Sequence, residues 1–201
     1  MFLTCARHAA ASAEEPVIAA LMALAADLAG KQDRYYAALI AGAGAHKFPG
    51  ASPFGVLMAL GEALPEEPQL AAFAIGCEVS VRLAHAFAPQ GEHGWDLSGI
   101  AGAIGSSVAG ALLLGASDEI LARSIGIASS MTLGQHVADG TPSTRLIAGK
   151  ASSNGVLAAL LAKRGFTGPP ALESPRGLCM VLGAENASGA LADVGERWTF
   201  A

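Results

Sequence analysis

Charge is scarce in this chain. Asp, Glu, Lys and Arg make up 14% of its 201 residues, where soluble domains average about 25%. The scarcity implies a surface partly buried in an oligomer and partly covered by small side chains, since Ala and Gly dominate. A basic excess is missing too. Twelve Lys and Arg against 17 Asp and Glu leave a net charge of −5, which excludes the basic patch that nucleic-acid binding needs. Aromatic residues, at 5%, are too few for a base-stacking platform. The three cysteines, Cys5, Cys77 and Cys179, fall in no CxxC or Cys/His spacing, so no zinc site follows and no metal is expected. Reduced thiols fit a cytoplasmic protein. The N-terminal MFLTCARHAAASAEEP lacks the long apolar run of a signal peptide. An uncharged stretch, Leu97 to Ser117, is long enough to span a bilayer. Its five glycines and four serines, without flanking Lys/Arg or an aromatic belt, point instead to a buried core helix and to no membrane partner.

Alternating runs long enough to make a strand are also absent, as is any fixed-period repeat. What is present is a succession of helical signals. Ser12 and Glu15 form a capping box before Pro16, and the helix that follows should stop at Gly30. Further helices are expected over 34–43, 54–64, 69–87, 98–114, 117–127, 129–136 and 150–163, with a short one near 189–198. Gly165 reads as the C′ glycine of the 150–163 helix, with Phe166 supplying its hydrophobic contact. Gly99, Gly102, Ala103, Ser106, Ala109 and Gly110 mark a face that another helix backbone can approach closely. The expected fold class is all-α, a compact multi-helix bundle in one domain over residues 1–201.

Motif chemistry is sparse. Gly99-x-x-Gly102-x-x-Gly105 lacks the spacing and the preceding strand of a dinucleotide fingerprint. No P-loop is present, and Ser129-Ser130-Met131 lacks a nucleophile elbow. Of the five histidines, His46, His93 and His136 sit in or beside loops, where sites concentrate; His8 and His85 read as ordinary surface or terminal residues. The segment ADGTPSTRLIAGK, Ala138 to Lys150, reads as a polar loop that gathers Asp139, Thr144, Arg145 and Lys150. Arg145 offers a bidentate fork and Lys150 a point charge, a pair suited to a carboxylate.

An ordered series of segments resembles the helical domain of the MmgE/PrpD family, whose members include 2-methylcitrate dehydratase, cis-aconitate decarboxylase and iminodisuccinate epimerase. AAFAIGCEVSVRLAHAF is similar to the family's AGYEVAxRL helix through Gly76, Glu78, Val79 and Arg82. SGIAGAIGSSVAGALLLGAS, ARSIGIASSMTLG, TRLIAGKASSNGVLAALLAKRGFTGP and LADVGERW follow in the family's order. The resemblance implies a cofactor-free homodimer in which a helical domain and a smaller α+β lid enclose a site for di- or tricarboxylates. Its chemistry is proton abstraction beside a carboxylate, then loss of water or carbon dioxide, or reprotonation.

Residue by residue, this sequence departs from that pattern. The family's acidic HALDxDDTH segment would follow Ala45-His46, but Lys47-Phe48-Pro49 stands there. A motif histidine falls at about Ser52; others match Asp96, Ile147 and Ser153. The motif lysine matches Thr144 and the tryptophan Lys150, while Arg145 is kept. The series stops at Ala201, where the lid would begin, and its start lacks the family's first helix. Two readings follow. One is a lidless, catalytically degenerate member that binds a small carboxylate or serves as a structural or regulatory subunit, as a homodimer or beside a full-length relative. The other is a repurposed lyase or isomerase. In either, Asp96 and His46 are the catalytic candidates, Thr144, Arg145 and Lys150 the substrate-binding ones, and no cofactor is expected.

Overall fold

The computed structural model describes residues 1–28, 33–91, 93–132, 134–169, 172–184, 187 and 189–199. Its helices are α1 Phe2–Ala11, α2 Pro16–Leu28, α3 Arg34–Ala45, α4 Ala51–Leu60, α5 Glu66–Ala86, α6 Ala88–Gly91, α7 Leu97–Leu113, α8 Asp118–Ser129, α9 Ser143–Lys163 and α10 Leu178–Val181. Single 3-10 turns cover Gly61–Ala63, His136–Ala138 and Gly189–Leu191. No strand forms among the described residues; an isolated antiparallel bridge pairs Trp95 with Gln135. The fold is all-α, as the periodicities imply. No single helix among the described residues is long and apolar enough to cross a membrane.

The uncharged stretch forms α7, the central helix, buried on every side from Gly99 to Ala111. It lies between α5 and α9, while α3 and α4 pack together and against α9. The small-residue face expected on α7 is therefore two faces. Gly105 meets α5, where an added Cβ would lie 2.2 Å from Gly76 O, and Ser106 meets α9 at Gly155. With no bulky side chain between them, these helices touch through backbone, and apolar clusters fill the space on either side: Phe54, Leu57, Leu60 and Phe73 on one, Leu83, Phe87, Ile100 and Ile104 on the other.

Several local expectations hold. Ser117 caps α8 by accepting from Ile120 N–H. Gly165 adopts φ +83° after α9, and Phe166 N–H donates to Leu161 O at 3.1 Å, the six-to-one bond of a Schellman motif. Others are corrected. The N-terminus forms α1, and Ser12 closes that helix, its N–H donating to His8 O, instead of opening α2. Gly30 lies outside the described residues. No continuous helix covers 129–136 among the described residues: α8 ends at Ser129 and a 3-10 turn begins at His136. The segment near 189–198 gives a single 3-10 turn followed by further turns. The largest correction concerns Ala138 to Lys150, which is mostly helix. Pro142, with its φ fixed near the helical value, and Thr141, whose Oγ1 accepts from Ser143 N–H at 3.3 Å, open α9 seven residues early.

Candidate functional site

A cleft of about 370 Å³ opens between the N-terminal ends of α4 and α7 and the side of α5. Its polar lining comprises His46, Lys47, Ser52, Ser80, His85 and Ser98, and its floor includes Ala101, Gly102 and Ala148. No carboxylate is among its described lining residues. Helix α4 starts at Gly50 with no side-chain cap, so the partial positive charge of its first turn is left unneutralised beside Ala51 and Ser52. An uncapped helix start, a lysine and two imidazoles around one small cleft make a surface complementary to an anion.

The five expected site residues do not converge there. His46, the C-cap of α3, lines the cleft directly. Asp96 is the N-cap of α7 and stands one residue removed. Its Oδ1 accepts from Ser98 N–H at 2.9 Å and from Ser98 Oγ at 2.5 Å, and it is Ser98 that faces the cleft. Arg145 lies behind His46, paired with Glu15 at the start of α2. Thr144 donates to Ala138 O at 2.5 Å. Lys150 points toward α3, donating to Tyr35 Oη with its ammonium 5.1 Å from the centre of that ring, and borders a second cleft of about 490 Å³ with Trp95, Gln135 and Ile147. Helical phase accounts for the split: Arg145 and Lys150 are five residues apart on α9, so they emerge on different faces.

The sequence does not bring His85, Ser80 or Ser98 to this site, and Lys47 and Ser52 stand out in it only as departures from the family's motif positions. His85 reads as a half-buried surface residue of an amphipathic helix, and nothing local distinguishes it; α5 carries it to the rim of the cleft only through its packing on α7. Lys47 was visible as the residue replacing the acidic segment, a charge reversal whose meaning depends on where α4 begins.

Behind His46 lie His8 and Arg145, the guanidinium paired with Glu15. His8 of α1 and His46 lie with ring centres 5.7 Å apart, tilted by 45°, and Phe48 meets His8 edge-on at 5.3 Å. His8 Nε2, His46 Nδ1 and Arg145 Nη1 are each buried without a hydrogen-bond partner. Burial first, then the charges of Arg145, His8 and Lys47, push the His46 imidazole down to about 4; burial, Lys47 and Arg145 lower His8 as well. His46 is therefore neutral at pH 7 and a ready acceptor or donor. Its folded pKa lies below the unfolded value of 6.5, so the unfolded chain binds the extra proton between pH 6.5 and about 4. The stability this provides is complete above that window and lost as pH falls through it. The full shift would amount to about 3 kcal/mol, and solvent screening of the part-exposed ring reduces this to about 1 kcal/mol. A His46→Gln variant is expected to flatten the decline in melting temperature between pH 6.5 and 4.5; an unchanged decline would assign it to other groups.

The three thiols are chemically quiet. All are free and buried, and burial pushes Cys5 up to about 11 and raises Cys77 and Cys179. None is a nucleophile at neutral pH. Compared with known protein families, the chain matches the MmgE/PrpD N-terminal domain over residues 5–188. No curated protein matches the chain.

Proposed function

The chain belongs to the MmgE/PrpD family, through its N-terminal domain, and from that premise we propose that it binds a small di- or tricarboxylate without turning it over. The observation that carries this reading is the cleft between α4 and α7, with Lys47, His46 and His85 at its lining, an uncapped helix start behind them, and no opposing carboxylate among its described residues. Arg145, behind His46, has its charge paired with Glu15 and stands outside the cleft. Lys150 borders the second cleft, the Thr144 hydroxyl is bonded to Ala138 O, and neither lines the first. What supports the absence of turnover in this reading is the position of Asp96, which caps α7 through Oδ1 and does not itself line the cleft, whereas a base must be within hydrogen-bond reach of the proton it removes. The same reading has the protein act in the cytoplasm as a homodimer, for which Leu3, Met22, Leu24 and Leu28, exposed on α1 and α2, offer apolar surface.

Calorimetric titration with cis-aconitate and 2-methylcitrate tests the proposal, with light scattering on the same sample reading the assembly mass. Binding is expected, and Lys47→Met should weaken it about tenfold, the loss of one charge-assisted contact worth about 1.4 kcal/mol. Absence of binding would remove the reading. The second reading, a repurposed lyase or isomerase, rests on the short contact from Asp96 to the Ser98 hydroxyl that lines the cleft. Turnover of either compound that disappears in Asp96→Asn would establish it in place of the first.

A further inference from the structure

Asp96, which also bonds Ser98, comes together with His136 and Asp139. One ligand atom from each lies within 4.8 Å of the others, and His136 Nδ1 is already 3.1 Å from Asp139 Oδ2. The backbone fixes this meeting of distant segments. Asp96 N–H donates to Gly134 O at 3.1 Å and His136 N–H to Gly94 O at 2.9 Å, the two bonds of the Trp95–Gln135 bridge. Gly134 allows the close approach, since a Cβ there would lie 2.8 Å from Asp96 O. Asp96 is 9% exposed, and its Oδ1 takes both bonds from Ser98. No hydrogen bond to its Oδ2 is formed among the described residues. Two carboxylates therefore share a small space with an imidazole, and among the described residues no ammonium or guanidinium group is bonded to either of them.

We propose that these three residues bind a divalent first-row transition-metal ion. One imidazole nitrogen and two carboxylates suit zinc, manganese or ferrous iron better than magnesium, which favours all-oxygen shells. Donors about 2.1 Å from one ion lie roughly 3–4 Å apart, so the present spacing closes on an ion by small rotations of His136 and Asp139, whose side chains are 49% and 59% exposed. Three protein ligands leave coordination positions for water or a ligand oxygen. The neighbouring Trp95, Gln135 and Ala138 line the second cleft, so the ion would stand at its rim.

The test is calorimetric titration of the whole chain with zinc chloride, in the wild type and in Asp96→Asn, His136→Ala and Asp139→Asn. Asparagine caps a helix as well as aspartate does, and His136 and Asp139 are exposed, so the variants should keep the wild-type circular dichroism. One zinc per chain is expected at micromolar affinity, weakened at least about tenfold in each variant, as loss of one of three ligands demands. Magnesium in large excess should not displace it. Absence of saturable zinc binding would overturn the site, as would wild-type affinity in all three variants, which would place the ion on other histidines or cysteines.

Discussion

Arg82→Met is expected to lower stability by about 3–5 kcal/mol, the usual cost of stripping one partner from a buried ion pair. That corresponds to a fall of about 10 °C in melting temperature for a chain of this size. Arg82 is the point at which the C-terminal segment is fastened to the bundle. Its Nε donates to Glu78 Oε1 at 2.5 Å, and its Nη1 to Ala190 O at 3.0 Å and to Asp193; its Nη2 donates to Arg197 O. Glu78 is fully buried and also accepts from Thr199 N–H at 2.8 Å and from its hydroxyl at 2.5 Å. Burial alone would push the Glu78 carboxyl up; the bonds from Thr199 and Arg82 outweigh it and hold the group below its ordinary value. Removing the guanidinium leaves a buried carboxylate without its cation and two carbonyls without donors. Urea unfolding measures the loss, and limited proteolysis should show cleavage within 189–199 before the bundle is cut. Arg82→Lys should recover only part of the stability, since one ammonium cannot span three directions of the fork. A wild-type midpoint in Arg82→Met would mean that the C-terminal segment contributes nothing to the fold.

The Glu78–Arg82 pair also shows what was legible in the sequence. GCEVSVRL and LADVGERW were both readable as family segments, 111 residues apart at Arg82 and Asp193, yet no local pattern says that one binds the other. Helix identity was legible wherever burial follows a 3.6-residue period, and so was α7, because only a buried helix tolerates so long an uncharged run. Boundaries failed where two local signals compete. Thr141-Pro142 reads equally as turn punctuation and as a helix start, and choosing the turn merged Thr144, Arg145 and Lys150 into one loop. On a helix those residues diverge, and the apparent carboxylate clamp separates into a pair with Glu15, a contact with Tyr35 and a bond to a carbonyl.

The candidate site was legible in its chemistry more than in its membership. His46 is legible as a loop-side histidine, whereas the basic pair read from the sequence, Arg145 and Lys150, does not line the cleft; His85, Ser80 and Ser98 are not legible, because their meeting depends on how α5 lies against α7. The replacement of a histidine by Asp96 illustrates the same limit. In sequence it reads as an exchanged base. In the fold, aspartate satisfies the first turn of α7 through Oδ1 and also stands beside His136 and Asp139, a neighbourhood fixed by the bridge at Trp95 and Gln135.

Gly155→Val is expected to be as damaging as the loss of Arg82, and for a reason without electrostatics. A Cβ at position 155 would lie 2.3 Å from Ser106 Cβ, 2.6 Å from Ser106 C and 2.9 Å from Ser107 N. Two of those atoms are backbone of α7, which is itself wedged against α5 at Gly105 and Gly76, so α9 can make room only by separating from the central helix. Overpacking commonly costs about 1–3 kcal/mol; with rigid backbone on one side and a branched side chain on the other, the upper end of that range or beyond is expected, about 10 °C in melting temperature. Gly155→Ala sets two effects against each other. Alanine raises helix propensity by about 1 kcal/mol, and the steric contact works against it, so a net loss means that the contact outweighs the propensity. A double-mutant cycle with Ser106→Gly isolates the contact. That change removes the Cβ facing Gly155 together with a hydroxyl buried without a partner, and it should restore part, but not all, of the stability lost in Gly155→Ala, because the Ser106 carbonyl carbon stays in place. Additive single and double variants, read by thermal unfolding, would show that α7 and α9 do not meet through these two residues, and with that the close backbone packing that shapes the floor of the cleft would lose its support.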